Sequence, residues 1–191
     1  MAARDIMPWT SPHGGHELIE HFPMNASEAF FQGEPVGVNA DGEATESADG
    51  PVPADLYGIA LAGPGASNKN PKTGTTWATG DRVPILVPTP TQRFITPNFA
   101  KASAAFDDTA PVASDIGDAC ALVVIGGVWG VDGAPDANDS VGRIVDILNV
   151  RKESIQDTGE TLATTDVFYI VFVIVAHANT PDSAEAAAPA A

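Results

Sequence analysis

The sequence predicts an all-β protein with a compact barrel-like or sandwich-like core. A turn-and-strand pattern recurs, in which a glycine and an acidic residue precede a short apolar run; it begins at Gly33, at Gly80 and at Gly117. Glycine permits the positive φ of a tight turn, the acid accepts a backbone N–H, and the β-branched run suits a buried strand. The 18 glycines and 16 prolines also suit many short strands joined by turns, and they argue against a helical protein.

The predicted strands are apolar runs bounded by turn residues: 34–39, 56–62, 81–88, 119–131, 141–150 and 167–176. A turn is predicted at Asp41-Gly42, and a bulge or bend at Gly126-Gly127. Within the mixed segment 92–115, residues 94–96 suit a short strand and 98–106 suit one or two helical turns.

The connections between these strands are predicted to be long and exposed. They comprise an acidic loop over 43–53, a polar surface loop over 63–78 and a polar connection over 151–165. Strand 141–150 lacks a clean two-faced alternation, so burial on both sides or at a partner surface is expected.

The chain is expected to form one core domain with extended ends. Residues 1–28 contain prolines, glycines and three of the four histidines, and are predicted to be an irregular N-terminal arm. The β-rich core domain is placed at 29–178, and the Ala/Pro-rich tail at 179–191 is predicted to be flexible.

Charge excludes two classes of partner. With 25 acidic residues against nine Lys and Arg, the formal net charge is −16. A groove for nucleic acid needs clustered cations, and so does docking on an anionic membrane, so neither partner is expected. The longest apolar run, 167–176, is about half as long as a membrane-spanning helix, so we interpret it as a central strand. Because no secretory signal is recognised near the N-terminus, synthesis in the cytoplasm is expected.

No set of residues in the sequence indicates a particular reaction or a cofactor. The sole cysteine, Cys120, lies in an apolar run and is predicted to be a buried small hydrophobe. His13, His16 and His21 form the only cluster with metal-ligand residue types, but it lacks the Cys-containing signature of structural zinc sites. We therefore predict no metal, no cofactor and no catalytic residue.

Loop acids are the remaining candidates for chemistry. Asp132, Asp136 and Asp139 lie close together in sequence, and clustered carboxylates of this kind can hold Ca²⁺. Their spacing does not match the calcium loop of an EF-hand, so we interpret them as solvated loop charges.

Large aromatic residues indicate a protein interface. Trp129 lies in a predicted strand and is assigned to the core, whereas Trp9 and Trp77 lie in the arm and in a loop. Tryptophan is enriched at interface hot spots, so a loop or arm tryptophan that does not fold back is a candidate contact. The residues predicted to contact a partner are Trp9, His13, His16, His21, Phe22 and Trp77.

Three segments share a turn-and-strand arrangement: Phe31-Gln32-Gly33-Glu34-Pro35-Val36, Tyr57-Gly58-Ile59-Ala60-Leu61-Ala62 and the run from Thr79 to Val87. Together they resemble the capsid decoration (cement) proteins of tailed bacteriophages. The resemblance covers about residues 30–90. It implies a non-catalytic structural protein that binds the outer surface of a viral capsid and stabilises it. Implied partners are the major capsid protein and further copies of the chain, commonly as a trimer, and the implied location is the capsid exterior.

Two other functions remain open at this point. A tail-associated or fibre-associated β module is one, and a hexameric or elongated assembly in solution would favour it. A small ligand-binding or hydrolytic β-barrel using loop carboxylates is the other. The sequence offers no matched nucleophile, base and orienting group for such an enzyme.

Overall fold

A computed structural model of the chain describes residues 6–9, 18–26, 28–65, 69–89, 91–101, 105–106, 108–135 and 139–175. These residues form twelve β-strands in two sheets. The larger sheet has seven strands and the smaller has five, and they do not close into a barrel. The predicted all-β, sandwich-like core is therefore confirmed.

The strands are β1 (Met7–Trp9), β2 (Leu18–Pro23), β3 (Pro35–Val38), β4 (Ala44–Glu46), β5 (Gly58–Ala60), β6 (Arg82–Val87), β7 (Arg93–Thr96), β8 (Phe99–Ala100), β9 (Ala119–Ile125), β10 (Val128–Asp132), β11 (Gly142–Leu148) and β12 (Tyr169–Ile174). One short helix, α1 (Ile155–Thr158), follows β11.

The larger sheet has the order β1-β7-β12-β11-β9-β10-β8, and the smaller has β2-β6-β5-β3-β4. Every strand pair is antiparallel except β8 with β10, which is parallel. Each sheet thus receives one edge strand from the N-terminal residues.

The main core lies between the two sheets. The smaller sheet contributes Ile59 and Leu86 from its central strands, and the larger sheet contributes inward side chains such as Phe94 and Phe172. The rings of these two phenylalanines lie 5.7 Å apart. Trp129 belongs to the same core, as predicted.

A second core covers the other face of the smaller sheet. Val83 and Ile85 of β6 point to this side, where Phe30 and Trp77 from the connecting segments pack over them. Because β6 is buried on both faces, its sequence is a continuous apolar run without alternation.

The recurrent turn pattern has the backbone that its glycines predict. Gly33, Gly80 and Gly117 have φ angles of 93°, 85° and 99°, a region that favours glycine. The following acid closes the turn in two cases. Glu34 Oε2 accepts the N–H of Phe31 at 2.8 Å, and Asp81 Oδ2 accepts the N–H of Ala78 at 2.9 Å.

Two irregularities explain features of the sequence that the strand pattern left unresolved. Gly126 and Gly127, predicted as a bulge or bend, form instead a two-residue hairpin turn between β9 and β10, with φ angles of 63° and 80°. In β11 the pairing register shifts between Ile144 and Asp146. This bulge reverses the alternation of β11, which is why its sequence shows no clean two-faced pattern.

Several predicted connections prove to contain structure. Residues 1–28 were expected to be irregular, which is wrong for β1 and β2. β4 lies in the expected exposed loop 43–53, where Ala44 is buried in the second core. β8 occupies Phe99–Ala100 within the segment 98–106, where helical turns were expected, and residues 102–104 of that segment lie outside the described residues. α1 interrupts the connection 151–165. The tail 179–191 lies outside the described residues, and the division into domains stays a prediction.

Candidate interaction surfaces

The predicted contact residues of the N-terminal segment are only partly described. His13 and His16 lie outside the described residues. The backbone of Trp9 pairs with Arg93 in the larger sheet, and nothing is described of its side chain. For these three residues the predicted contact role stays a prediction.

His21 and Phe22 lie on strand β2 and point to opposite faces of the smaller sheet. His21 is exposed, and its backbone oxygen accepts a hydrogen bond from Nη1 of Arg82 at 2.9 Å. Phe22 is half-buried and packs edge-on against Tyr57, with ring centroids 4.7 Å apart. The structure therefore does not bring these two side chains together on one surface.

Trp77 is buried within the chain itself. Its side chain is 8% exposed and packs in the second core, so the expectation that this loop tryptophan meets a partner does not fit its position. The loop folds back because the outer face of β6 and β5 needs an apolar cover. Among the described residues, the indole N–H has no hydrogen-bond partner.

Strand β2 forms an edge that sequence reasoning missed. Along Leu18–Pro23 it pairs only with β6 among the described residues. Leu18 and Ile19, on opposite faces of this edge, are 45% and 41% exposed. An unpaired strand edge with exposed large aliphatic side chains is a site of association with another chain. The adjacent Leu-Ile pair was the available signal, but it lay in a segment interpreted as irregular.

The outer face of the larger sheet carries a row of three side chains from β7, β12 and β11. Arg93 lies opposite Val173, and Val173 lies opposite Arg143. Directly opposed residues in antiparallel strands project to the same face, so the valine separates two arginines on one surface. Both arginines are exposed, and neither makes an ion pair with another described residue.

Apolar side chains continue this face along the same strands. Ile95 and Val171 form a small buried cluster that Met7, Val145 and Tyr169 partly cover. At the far end, Nζ of Lys152 lies 5.8 Å from the centroid of the Tyr169 ring. The exposed residues Arg151, Val150 and Val167 lie at this end too.

The buried ionisable groups have structural roles. Asp115 is buried and accepts hydrogen bonds from Nζ of Lys101 at 2.5 Å and from the N–H of Val112 at 3.0 Å. Cys120 is fully buried, as predicted; burial, and secondarily the charge of Asp132, raise the pKa of its thiol far above the ordinary value. A thiol held in its protonated form is a poor nucleophile.

An acidic cleft of about 270 Å³ lies beside β9 and β10. Asp49, Asp132 and Asp139 line it, while Asp136 lies outside the described residues. Asp49 accepts the N–H of Val124 and Asp132 accepts the N–H of Ala134, both at 2.8 Å. In the described part of the chain, no three His, Cys, Asp or Glu side chains are grouped so that they could hold a metal ion. Asp49 and Asp132 therefore satisfy backbone N–H groups of β9 and of the segment that follows β10.

Within the described residues, no helix has the length and apolar character needed to cross a membrane. Comparison of the chain with models of known protein families, with curated proteins and with solved structures gave no match.

Proposed function

We propose that this chain is a non-catalytic structural protein of the virion, which binds the outer surface of a viral capsid and stabilises it. The observation that carries the proposal is strand β2, whose exposed Leu18 and Ile19 offer apolar contacts at an edge that pairs with no second strand among the described residues. The proposed class of partner, a viral capsid, comes from the resemblance of residues 31–36, 57–62 and 79–87 to decoration proteins.

The edge position suits binding to a large surface. An acceptor strand on the partner gains main-chain hydrogen bonds, and the two aliphatic side chains add apolar burial on both faces of the joined sheet. A single contact of this size is weak. Repetition over a symmetric lattice makes it strong, because each further contact within one assembly is intramolecular.

The proposed partners are the major capsid protein and further copies of this chain, with a trimer as the proposed assembly and the capsid exterior as the proposed location. Strand β2 also carries His21 and Phe22, two of the residues predicted to contact a partner. Trp9, His13 and His16 belong to the same N-terminal segment, and they complete the proposed contact region together with Leu18 and Ile19.

The test uses virus particles from which this chain has been deleted. Purified wild-type protein is added, and binding is measured by co-sedimentation and by cryo-electron microscopy of the particles. We expect added density on the outer surface and a higher temperature of capsid rupture. The variant Leu18→Glu/Ile19→Glu is expected to lose binding, because it places two charges at the apolar edge.

Val112→Glu is the matched control. Val112 is 41% exposed and lies in the connection between β8 and β9, so this variant introduces the same kind of charge away from β2. Wild-type protein that leaves capsid density and heat resistance unchanged would contradict the proposed function. Native mass spectrometry tests the trimer, and a hexameric or elongated assembly would favour a tail or fibre module instead.

A further inference from the structure

Two cations of this acidic protein lie in one row on the outer face of the larger sheet. Arg93 and Arg143 lie on either side of Val173 in this row. The formal net charge of the whole chain is −16. The row thus places two positive charges close together on a strongly acidic molecule.

The geometry of the face is fixed by strand register. Arg93 and Arg143 lie in neighbouring strands on either side of β12, so two strand spacings separate their backbones, about 10 Å. Val173 lies between them and is partly exposed. The sheet thus holds two guanidinium groups on the two sides of an apolar surface, with no backbone rearrangement needed for binding.

We propose that this arginine-flanked face binds an acidic polypeptide segment in which an apolar residue lies between two carboxylates. Each guanidinium can bind one carboxylate through two hydrogen bonds, while the apolar residue covers Val173. The pattern Glu-x-apolar-x-Glu in an extended chain places three side chains on one face, spread over about 13 Å, which flexible arginine side chains can span. This surface is distinct from the β2 edge, and the inference does not rest on the proposed function.

Among the described residues, no carboxylate of the chain itself forms an ion pair with Arg93 or Arg143. Asp146 is the carboxylate that the register places on this face, opposite Val171. Its Oδ1 already accepts the hydroxyl of Ser154 at 2.7 Å and the N–H of Ile147 at 2.8 Å. Asp146 is thus held by its own strand and the following turn, so within the described ranges no carboxylate forms an ion pair with Arg93 or Arg143.

Two other occupants are less suited to the face. Nucleic acid needs a track of cations along its phosphates, and the charge of the remaining chain repels it. A second copy carries the same net charge of −16, so long-range repulsion opposes its approach. A short acidic segment with an apolar centre carries far fewer charges than either of these, so the repulsion is smaller, and flexible arginine side chains can reach both of its carboxylates.

The experiment titrates ¹⁵N-labelled full-length protein with a synthetic peptide containing two copies of Glu-Ser-Val-Ser-Glu, followed by amide chemical shifts. We expect saturable shifts centred on Arg93, Val173 and Arg143. The variant Arg93→Glu/Arg143→Glu is expected to weaken binding by roughly tenfold or more, because attraction becomes repulsion at both positions. Lys69→Glu/Lys72→Glu, which changes the same number of exposed charges in a distant loop, is the matched control and is expected to bind normally.

Further titrations distinguish an acidic segment from the other possible occupants of this face. A peptide with lysine in place of glutamate is expected not to bind. Peptide-induced shifts that are absent from the face, or that survive the Arg93→Glu/Arg143→Glu reversal, would overturn the proposal. Tighter binding of a short DNA duplex at the same residues would reassign the face to phosphates, and shifts that depend on protein concentration alone would reassign it to a second copy. If the reversal unfolds the protein, Arg93→Gln/Arg143→Gln replaces it.

Discussion

The hydroxyl of Tyr57 donates a hydrogen bond of 2.6 Å to Oε2 of Glu20, and so fixes the edge strand β2 to the residue that precedes β5. Tyr57 also packs edge-on against Phe22. Both contacts lie on the same face of the smaller sheet, across β6. In addition to its pairing with β6, the edge that carries Leu18 and Ile19 is therefore fixed by one side chain from the neighbouring part of the sheet.

Removing this hydroxyl is expected to loosen β2. Tyr57→Phe keeps the ring contact with Phe22 but leaves Glu20 without its donor, which should lower the free energy of unfolding by about 1–2 kcal/mol. Amide hydrogen exchange should accelerate in β2 more than in β12. Tyr169→Phe is the control, since the Tyr169 hydroxyl makes no hydrogen bond to another described residue. Equal losses in both variants would contradict the role given to the Glu20 contact.

The hairpin turn between β9 and β10 offers a test of backbone conformation alone. A Cβ added at Gly126 or Gly127 meets no atom within 4 Å, so any cost comes from the positive φ angles. Gly126→Val should cost about 1–2 kcal/mol of stability, whereas Gly126→Asn should cost less than about 0.5, since asparagine tolerates this region. Urea denaturation measures both. A valine variant as stable as the asparagine variant would refute the two-residue turn.

The ion pair of Lys101 with Asp115 should contribute to stability because the carboxylate is buried. Lys101→Met keeps the aliphatic stem and removes the charge, so that the N–H of Val112 is the donor to Asp115 that remains among the described residues. We expect a loss of about 1–3 kcal/mol in urea denaturation, reduced from a fully buried pair because Lys101 is partly exposed. Lys72→Met, on an exposed turn, should be neutral within about 0.5 kcal/mol. If Lys101→Met leaves the free energy of unfolding unchanged, water stabilises the Asp115 carboxylate as well as Lys101 does.

Cys120 should make stability fall at alkaline pH. Burial raises the pKa of its thiol in the folded state, so the proton is held more tightly there than in the unfolded chain. The contribution is intact below the unfolded pKa of about 8.5 and declines as pH rises above it, by at most about 1.4 kcal/mol per pH unit. Cys120→Ala should show a shallower decline between pH 8.5 and 10 in urea denaturation. Identical slopes would contradict the burial of the thiol.

The same cysteine gives a simple measurement of native packing. A maleimide reagent should leave the folded protein unmodified and should add one equivalent in urea, because Cys120 is the chain's sole thiol. Rapid labelling of the folded protein would show that β9 opens easily.

The strands that the sequence predicted well are those with continuous β-branched runs. Residues 82–87 and 169–174 are central strands, and central strands are buried on both faces, so their composition alone identifies them. Strands β1, β2 and β4 lie at the sheet edges or beside them. Edge strands tolerate polar residues such as Glu20, His21 and Thr45. Strands that contain such residues lack the apolar pattern by which a strand is predicted from sequence.

The interaction surfaces were harder to predict, for a different reason. The row Arg93, Val173 and Arg143 exists because β12 pairs with both β7 and β11, and that register is a long-range property. Trp77 was misjudged since a loop tryptophan has the same local sequence whether it folds back or projects outward. For the row, the missing information was the position of strands far apart in the chain; for Trp77 it was which face of the smaller sheet the loop covers.

The pairing of β1 with β7 and of β2 with β6 has a consequence for protein synthesis. Met7 pairs with Ile95 and Leu18 pairs with Val87, so both strands leave the ribosome long before their partners exist. Such distant pairings form slowly, because the intervening chain must first be ordered. Until β6 and β7 emerge, the nascent Leu18 and Ile19 are available to neighbouring chains on the same polysome, and the yield of folded protein depends on how long that interval lasts.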